Sequence, residues 1–177
     1  MQYLTEYESP LGMFTIASDG ENITGLWMAG QKYFGSTLDA GSERRTLTVF
    51  DQARDWLDQY FSGQAPDMTL PLAPAGSEFR RSVWEILLEI PYGRLATYGA
   101  IAKKMAARTG RASVSAQAVG GAVGHNPVSI IIPCHRVVGS DGSLTGYAGG
   151  LEKKTWLLQL ERADMEGLFS PARGTAL

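Results

Sequence analysis

The only thiol in the chain, Cys134, is followed directly by an imidazole, His135, and a guanidinium, Arg136. A cysteine beside a histidine is a candidate nucleophile with a base at hand, because the thiolate is the reactive form and a thiol near pKa ~8.5 is only a few per cent ionised at neutral pH. A single cysteine has no disulfide partner within the chain and no Cys-rich metal cluster around it. Residue type alone equally allows a small buried hydrophobe next to a core histidine, so the surroundings decide. Ahead of the pair, Ile130-Ile131-Ile132-Pro133 reads as a short buried strand that must stop, since Pro133 cannot donate to a ladder and holds Ile132 extended. In an extended segment adjacent side chains face opposite ways, so proton exchange between Cys134 and His135 calls for a bent backbone or a bridging water.

The elements that must position these groups follow from periodicity and turn chemistry. Gln2–Glu8, Met13–Ser18 and Ile23–Met28 alternate as strands separated by Ser9-Pro10-Leu11-Gly12 and Asp19-Gly20-Glu21-Asn22, an antiparallel meander. Gly30–Ser42 has no period and reads as loop. Thr46–Phe61 spaces Val49, Phe50, Ala53, Trp56, Leu57, Tyr60 and Phe61 along one helix face, and Ser62-Gly63 ends it. Pro66–Gly76 reads as an extended linker. Ser77 then opens a helix from Glu78 to Leu88 that Pro91-Tyr92-Gly93 closes. Thr97 caps a helix from Tyr98 to about Ala107; after a turn at Thr109–Ala112, Ser113 or Ser115 caps a second one, Ala116–Val123. Two short helices joined by a Gly-containing turn form a helix-turn-helix pattern, a weak signal alone. The second helix is nearly bare of side-chain bulk, with Ala116, Ala118, Gly120, Gly121 and Ala122, which suits close approach to a helix or to a narrow groove. Gly146–Gly150 reads as a mobile glycine-rich loop, Leu151 to about Ala163 as a last helix with Trp156, Leu157 and Leu160 inward, and the tail after Gly167 as disordered. The fold class is α+β: residues 1–70 a small antiparallel sheet with a helix, residues 77–170 a mostly helical second subdomain.

Charge is divided unevenly. Residues 1–76 carry four Lys/Arg against ten Asp/Glu, whereas residues 77–136 carry eight (Arg80, Arg81, Arg94, Lys103, Lys104, Arg108, Arg111, Arg136) against three. An anion-binding surface is therefore expected in the segment leading into Cys134. No apolar run approaches the ~20 residues of a membrane helix, the N-terminus lacks the pattern of a secretion signal, and one unpaired cysteine suits a reducing compartment; the cytoplasm is expected. No phosphate-binding glycine fingerprint and no internal repeat are present.

The run from Gly124-His125-Asn126-Pro127 through Pro133-Cys134-His135-Arg136-Val137-Val138, continued by Gly146-Tyr147-Ala148-Gly149-Gly150-Leu151 to Glu161, resembles the active-site region of the O6-alkylguanine-DNA alkyltransferases. With the helices before it, the resemblance covers roughly residues 77 to 163. It implies DNA repair by stoichiometric transfer of an alkyl group from O6-alkylguanine to Cys134, with the damaged base flipped out of a double-stranded DNA partner. By the same resemblance His135 is the base, Glu161 orients it, Asn126 holds the turn near the thiol, and the Tyr98 phenol neutralises the departing guanine. Val137, Gly146, Tyr147, Ala148 and Lys154 are the implied substrate-binding residues, with Tyr147 packed on the flipped base. Ala116, Gln117, Ala118 and Arg136 are the implied DNA contacts.

The chain also departs from that pattern. Gln117 stands where relatives often carry an arginine that replaces the flipped base, the loop from Tyr98 to that position looks longer, and Ala148 stands where some have Ser. The zinc site of some relatives cannot form around a sole cysteine in the second half, so no metal and no cofactor are expected, and the chain is expected to act as a monomer. Two other classes remain to be separated by assay: a DNA-binding protein that marks damage without chemistry, and a Cys-His-Glu hydrolase. The sequence does not rank methyl against larger alkyl groups or O4-alkylthymine against O6-alkylguanine.

Overall fold

The computed structural model describes residues 1–171, and the chain divides into two compact units. Met1–Ala75 goes with Pro127–Ser129, and Gly76–Asn126 goes with the chain from Ile130 onward.

In the first unit β1 (Tyr3–Ser9), β2 (Gly12–Ser18) and β3 (Ile23–Met28) form the expected antiparallel meander. A two-residue β4 (Glu43–Arg44), too short to show a period, adds in parallel to β1, giving the order β3-β2-β1-β4. The helix α1 (Thr48–Phe61) packs on β1, β2 and β3 through Val49, Phe50, Ala53, Trp56, Leu57 and Tyr60. All six residues of β3 are buried, because its outer edge is covered as well. Ile23 N–H donates to the Pro71 carbonyl (2.8 Å) and Ala73 N–H to the Ile23 carbonyl (2.9 Å). Within the expected extended linker, Pro71–Ala73 thus pairs as a sheet edge; proline lacks a donor but its carbonyl still accepts. Further along the same edge, Leu26 N–H donates to Pro127 O (2.8 Å) and Ser129 N–H to Leu26 O (2.9 Å). The Ser129 hydroxyl reaches Gln31 Oε1 at 3.1 Å, and that oxygen also accepts from Met28 N–H at 2.7 Å.

The second unit begins with α2 (Glu78–Leu88), capped by the Ser77 hydroxyl. Next come β5 (Ala96–Thr97) and α3 (Tyr98–Thr109), capped by Thr97 and closed by Gly110 in the left-handed region at φ 66°. The helix α4 (Ala116–Gly124) is capped by Ser115. These three helices pack on one another, and Trp84 Nε1–H of α2 donates to Ala122 O of α4 at 2.8 Å. A short β6 (Val137–Val138) pairs in parallel with β5, and α5 (Leu151–Leu160) follows.

Three expectations change here. Ile130–Ile132 is buried but is a turn rather than a strand: pairing is taken by Pro127–Ser129, and Ile130 adopts φ 68°, where a β-branched residue is held only by its surroundings. The last helix ends at Leu160, and its inward residues are Lys154, Leu157 and Leu158, with Trp156 and Leu160 half-buried. A lysine occupies one inward position, so the apolar pattern misplaced the face. The chain after Gly167 is ordered as far as it is described, with Leu144 N–H donating to Phe169 O at 2.8 Å and Phe169 N–H to Gly142 O at 3.1 Å. The remainder of the expected disordered tail, 172–177, lies outside the described residues.

Candidate active site

The left-handed bend at Ile130 turns the chain back, and Pro133 leads into a single 3-10 turn, Cys134–Arg136. The backbone is therefore bent where an extended strand would separate thiol and imidazole. Asn126 straps the turn from the other side: its side-chain amide donates to Ile132 O at 2.9 Å and also hydrogen-bonds Cys134. The thiol is buried, 5% exposed. Burial pushes its pKa up, against the opposing effects of the Asn126 hydrogen bond and the Lys154 charge.

His135 is wholly buried and meets Glu161 at 2.6 Å through Nε2. Burial lowers its pKa, and the Arg136 and Lys154 charges work in the same direction, while Glu161 opposes. The resting pair is thus a neutral thiol and a neutral imidazole. The carboxylate fixes the tautomer, with Nε2 carrying the proton and Nδ1 left as the basic nitrogen.

Glu161 caps the C-terminus of α5 and is itself saturated. Oε1 also accepts from Arg136 Nη2 at 2.9 Å, and Oε2 accepts from Arg136 Nε at 2.8 Å and from Gly93 N–H at 3.1 Å. Burial alone would raise its pKa, but the His135 and Arg136 hydrogen bonds and charges hold it well below the usual carboxylate range. It therefore stays ionised beside the His135 ring. Arg136, counted among the expected DNA contacts, is buried, forked onto Glu161, and donates from Nη1 to Ile90 O at 2.7 Å, with Tyr92 beneath its guanidinium. Three of its five N–H groups are thereby spent within the protein, two of them on the buried carboxylate.

The opposite wall is built from β5, β6 and α5. The parallel pairing Ala96–Val137 and Thr97–Val138 carries Tyr98 alongside the segment that follows the thiol. The Tyr98 hydroxyl donates to Thr145 O at 3.0 Å, and burial pushes its pKa up to about 12. Lys154 is fully buried and donates to Val137 O at 2.5 Å and Thr145 O at 2.8 Å; burial brings its pKa down to about 8. Tyr147 is buried with its ring edge-on to His135, centroids 6.5 Å apart. Gly146 and Ala148 flank it in a half-buried loop.

Cys134, His135, Glu161, Asn126, Tyr98, Tyr147, Val137 and Lys154 thus converge within the second unit. Ala116, Gln117 and Ala118 do not join them; they are exposed on the first turn of α4. A Cβ built on Gly121, one turn on, meets no atom within 4 Å, so internal packing does not require a glycine there. A cavity of about 500 Å³ between α2 and α3, lined in part by Glu78, Glu85, Arg108 and Arg111, holds none of these groups. Among the described residues no group of three or more His, Cys, Asp and Glu is placed to hold a metal ion, and no helix is long and apolar enough to cross a membrane.

Sequence reasoning missed Gly93 and the Thr145 carbonyl. Gly93 has φ 72°, and a Cβ on it would lie 2.8 Å from the Glu161 carbonyl oxygen, so only glycine lets its N–H reach the carboxylate. The Pro-Tyr-Gly run was legible as a helix stop, not as this second duty. Thr145 acts through its backbone and leaves no side-chain signal.

Residues 2–74 match the family model described as 6-O-methylguanine DNA methyltransferase, ribonuclease-like domain, and residues 78–163 match that family's DNA binding domain. A methylated-DNA–protein-cysteine methyltransferase of Haemophilus influenzae is 43% identical over 161 residues, 90% of this chain and 86% of the relative. One from Methanosarcina acetivorans is 43% identical over 160 residues, 90% of this chain and 97% of the relative. The crystal structure of Mycobacterium tuberculosis OGT in complex with DNA superposes with a TM-score of 0.79 at 39% identity, covering 90% of this chain and 92% of that one. With residues 2–74 and 78–163 both matched and relatives 43% identical over most of the chain, the chain belongs to the 6-O-methylguanine DNA methyltransferase family.

Proposed function

We propose that this protein repairs double-stranded DNA by moving the alkyl group of an O6-alkylguanine onto the sulfur of Cys134, once per molecule. The observation that carries the reading is the buried relay: a thiol strapped by Asn126, next to an imidazole whose far nitrogen lies 2.6 Å from an ionised carboxylate. In the reaction the S–C bond forms as the C–O6 bond breaks, and the electron pair stays on guanine. The thiol proton passes to His135, whose positive charge Glu161 stabilises. Tyr98 remains protonated well above neutral pH and donates a hydrogen bond to the guanine ring as negative charge gathers there, while the proton that sulfur gave to His135 is the one that, in the balance, neutralises the departing guanine. Because burial keeps sulfur and imidazole neutral at rest, the ion pair forms as the substrate arrives, and solution electrophiles are poorly served.

The second unit carries both activities. The first turn of α4 offers Ala116, Gln117 and Ala118 to a minor groove, where Gln117 fills the place of the extruded base, and exposed Lys103 and Arg111 serve phosphates, while Lys104 and Arg108 are paired with Glu89. Tyr147, Val137, Gly146 and Ala148 line the pocket for the flipped base, and Lys154 fixes it by tying Val137 to Thr145. The first unit supports the fold. One chain holds every group required, so a monomer suffices, and a reducing, cytoplasmic setting keeps Cys134 as a thiol. The test is duplex DNA labelled in the methyl group of O6-methylguanine. Label should move to the peptide containing Cys134; label that stays on DNA, or leaves as a small product, would refute the reading.

A further inference from the structure

Tyr147 has a hydroxyl that its expected role does not use. Packing against a base needs only the ring, and phenylalanine would provide it. Yet the hydroxyl is buried, and among the described residues it finds no hydrogen-bond partner in the protein. A buried hydroxyl is costly to leave unbonded. Its neighbours are not apolar: the ring lies edge-on to His135 at 6.5 Å, and the Cys134 sulfur and Glu161 carboxylate both act on the hydroxyl electrostatically.

We propose that Tyr147 is a positioning residue for proton transfer, its hydroxyl donating to one buried water that bridges Cys134 Sγ and His135 Nδ1. The inference rests on the alkyl-transfer reading above and adds a group to its relay. Nε2 of His135 is committed to Glu161 at 2.6 Å, which leaves Nδ1 to exchange protons with the thiol. Before reaction the water accepts from the thiol and from Tyr147 and donates to Nδ1. Afterwards it accepts from Nδ1–H and from Tyr147 and donates to the thiolate. One proton leaves sulfur, one arrives on nitrogen, and Tyr147 keeps its own throughout. Burial holds the Tyr147 phenol well above its ordinary pKa, so it stays a donor at every working pH. A water with a fixed third partner is held in line through both states.

The test uses the full chain and Tyr147→Phe. The rate of Cys134 with iodoacetamide, which needs no DNA, is followed against pH beside methyl transfer from an O6-methylguanine duplex and affinity for undamaged duplex. His135, Glu161, Arg136, Lys154 and Tyr98 also face this site and are common to both proteins, so only the difference between profiles is read. Without Tyr147 the water loses the donor that keeps it aimed at sulfur, which matters most once its own hydrogen bond goes to a charged thiolate, so the thiol inflection should rise by about one pH unit and methyl transfer near neutrality slow about tenfold. Duplex affinity should stay within about twofold. Superimposed pH profiles would overturn the proposal while leaving alkyl transfer intact; an unaltered protein that transfers no methyl would overturn the functional reading itself. If Tyr147→Phe melts early, 3-fluorotyrosine at position 147 keeps the shape and strengthens the donor. The inflection should then fall, and an unmoved inflection would again overturn the proposal.

Discussion

Replacing Glu161 with Gln tests the electrostatic centre of the site. The carboxylate accepts from four donors: His135 Nε2, Arg136 Nε and Nη2, and Gly93 N–H, at 2.6 to 3.1 Å. An amide keeps one acceptor oxygen and turns the other into a donor, which then faces a donor, and it strands the charge of a guanidinium that is 8% exposed. Breaking a buried pair from one side costs about 3–5 kcal/mol, a large share of the about 5–15 kcal/mol that holds a domain together. Urea unfolding at neutral pH measures the loss. The paired variant Glu161→Gln with Arg136→Met should lose less than the two single variants together, because removing both partners leaves no stranded charge. Acid unfolding supplies a second readout. The native carboxyl titrates well below its unfolded value near ~4.3, so its contribution is complete above that pH and is lost as pH falls through it towards the native value. His135, held neutral by burial, adds a loss that begins below its unfolded value near ~6.5. Glu161→Gln should remove the lower part of this acid limb and leave the upper part. A loss under about 1 kcal/mol at neutral pH, or an unchanged acid limb, would refute the reasoning.

Further outcomes follow from the same geometry. Cys134→Ala should abolish transfer yet bind duplex within about threefold, since the thiol contributes little buried surface; a joint loss in a gel-shift and transfer assay would make Cys134 structural. Affinity for duplex should fall by about 0.9 log units per phosphate contact for each log unit of salt. Arg136→Met should leave that slope unchanged, while Lys103→Ala and Arg111→Ala should each reduce it; a flat salt dependence in fluorescence anisotropy would count against DNA binding by this face. Lys154→Met deprives Val137 O and Thr145 O of a shared donor. Methyl transfer should drop by about tenfold or more, roughly the worth of one or two charge-assisted hydrogen bonds. The melting temperature should change less, because the cost of burying an ammonium disappears as well; an unaltered rate would remove Lys154 from the site.

The meander, the face of α1 and the capped starts of α2, α3 and α4 were legible because each rests on local chemistry: alternation, helical spacing, and Ser or Thr at the N-cap. Ile130–Ile132 misled because three β-branched residues favour a strand wherever backbone partners exist, and here the partners on β3 are taken by Pro127–Ser129. Pro71–Ala73 is extended as its prolines suggested, but its pairing with Ile23, through the Pro71 carbonyl and the Ala73 N–H, was not legible. Arg136 shows the limit of charge counting. Its positive charge is real but is consumed by Glu161, twenty-five residues away in sequence, a pairing that no local pattern carries. Lys154 hid the inward face of α5 for the same reason, its head satisfied by two backbone carbonyls. The candidate pair was visible in Cys134 and His135, whereas the bend at Ile130 and the 3-10 turn that set their geometry belong to tertiary structure.

The central claim is that Cys134 accepts one alkyl group and the protein is then spent, since a thioether, unlike an acyl-enzyme, has no leaving group that water can displace. The direct measurement is intact-protein mass together with repaired guanine, taken as O6-methylguanine duplex is raised from below to well above the protein concentration. The account predicts a mass gain of one methyl group, located on Cys134, and a repair yield that stops at one guanine per protein molecule however much duplex is added. Repair that continues past that ratio, or repair without a mass gain on Cys134, would contradict it.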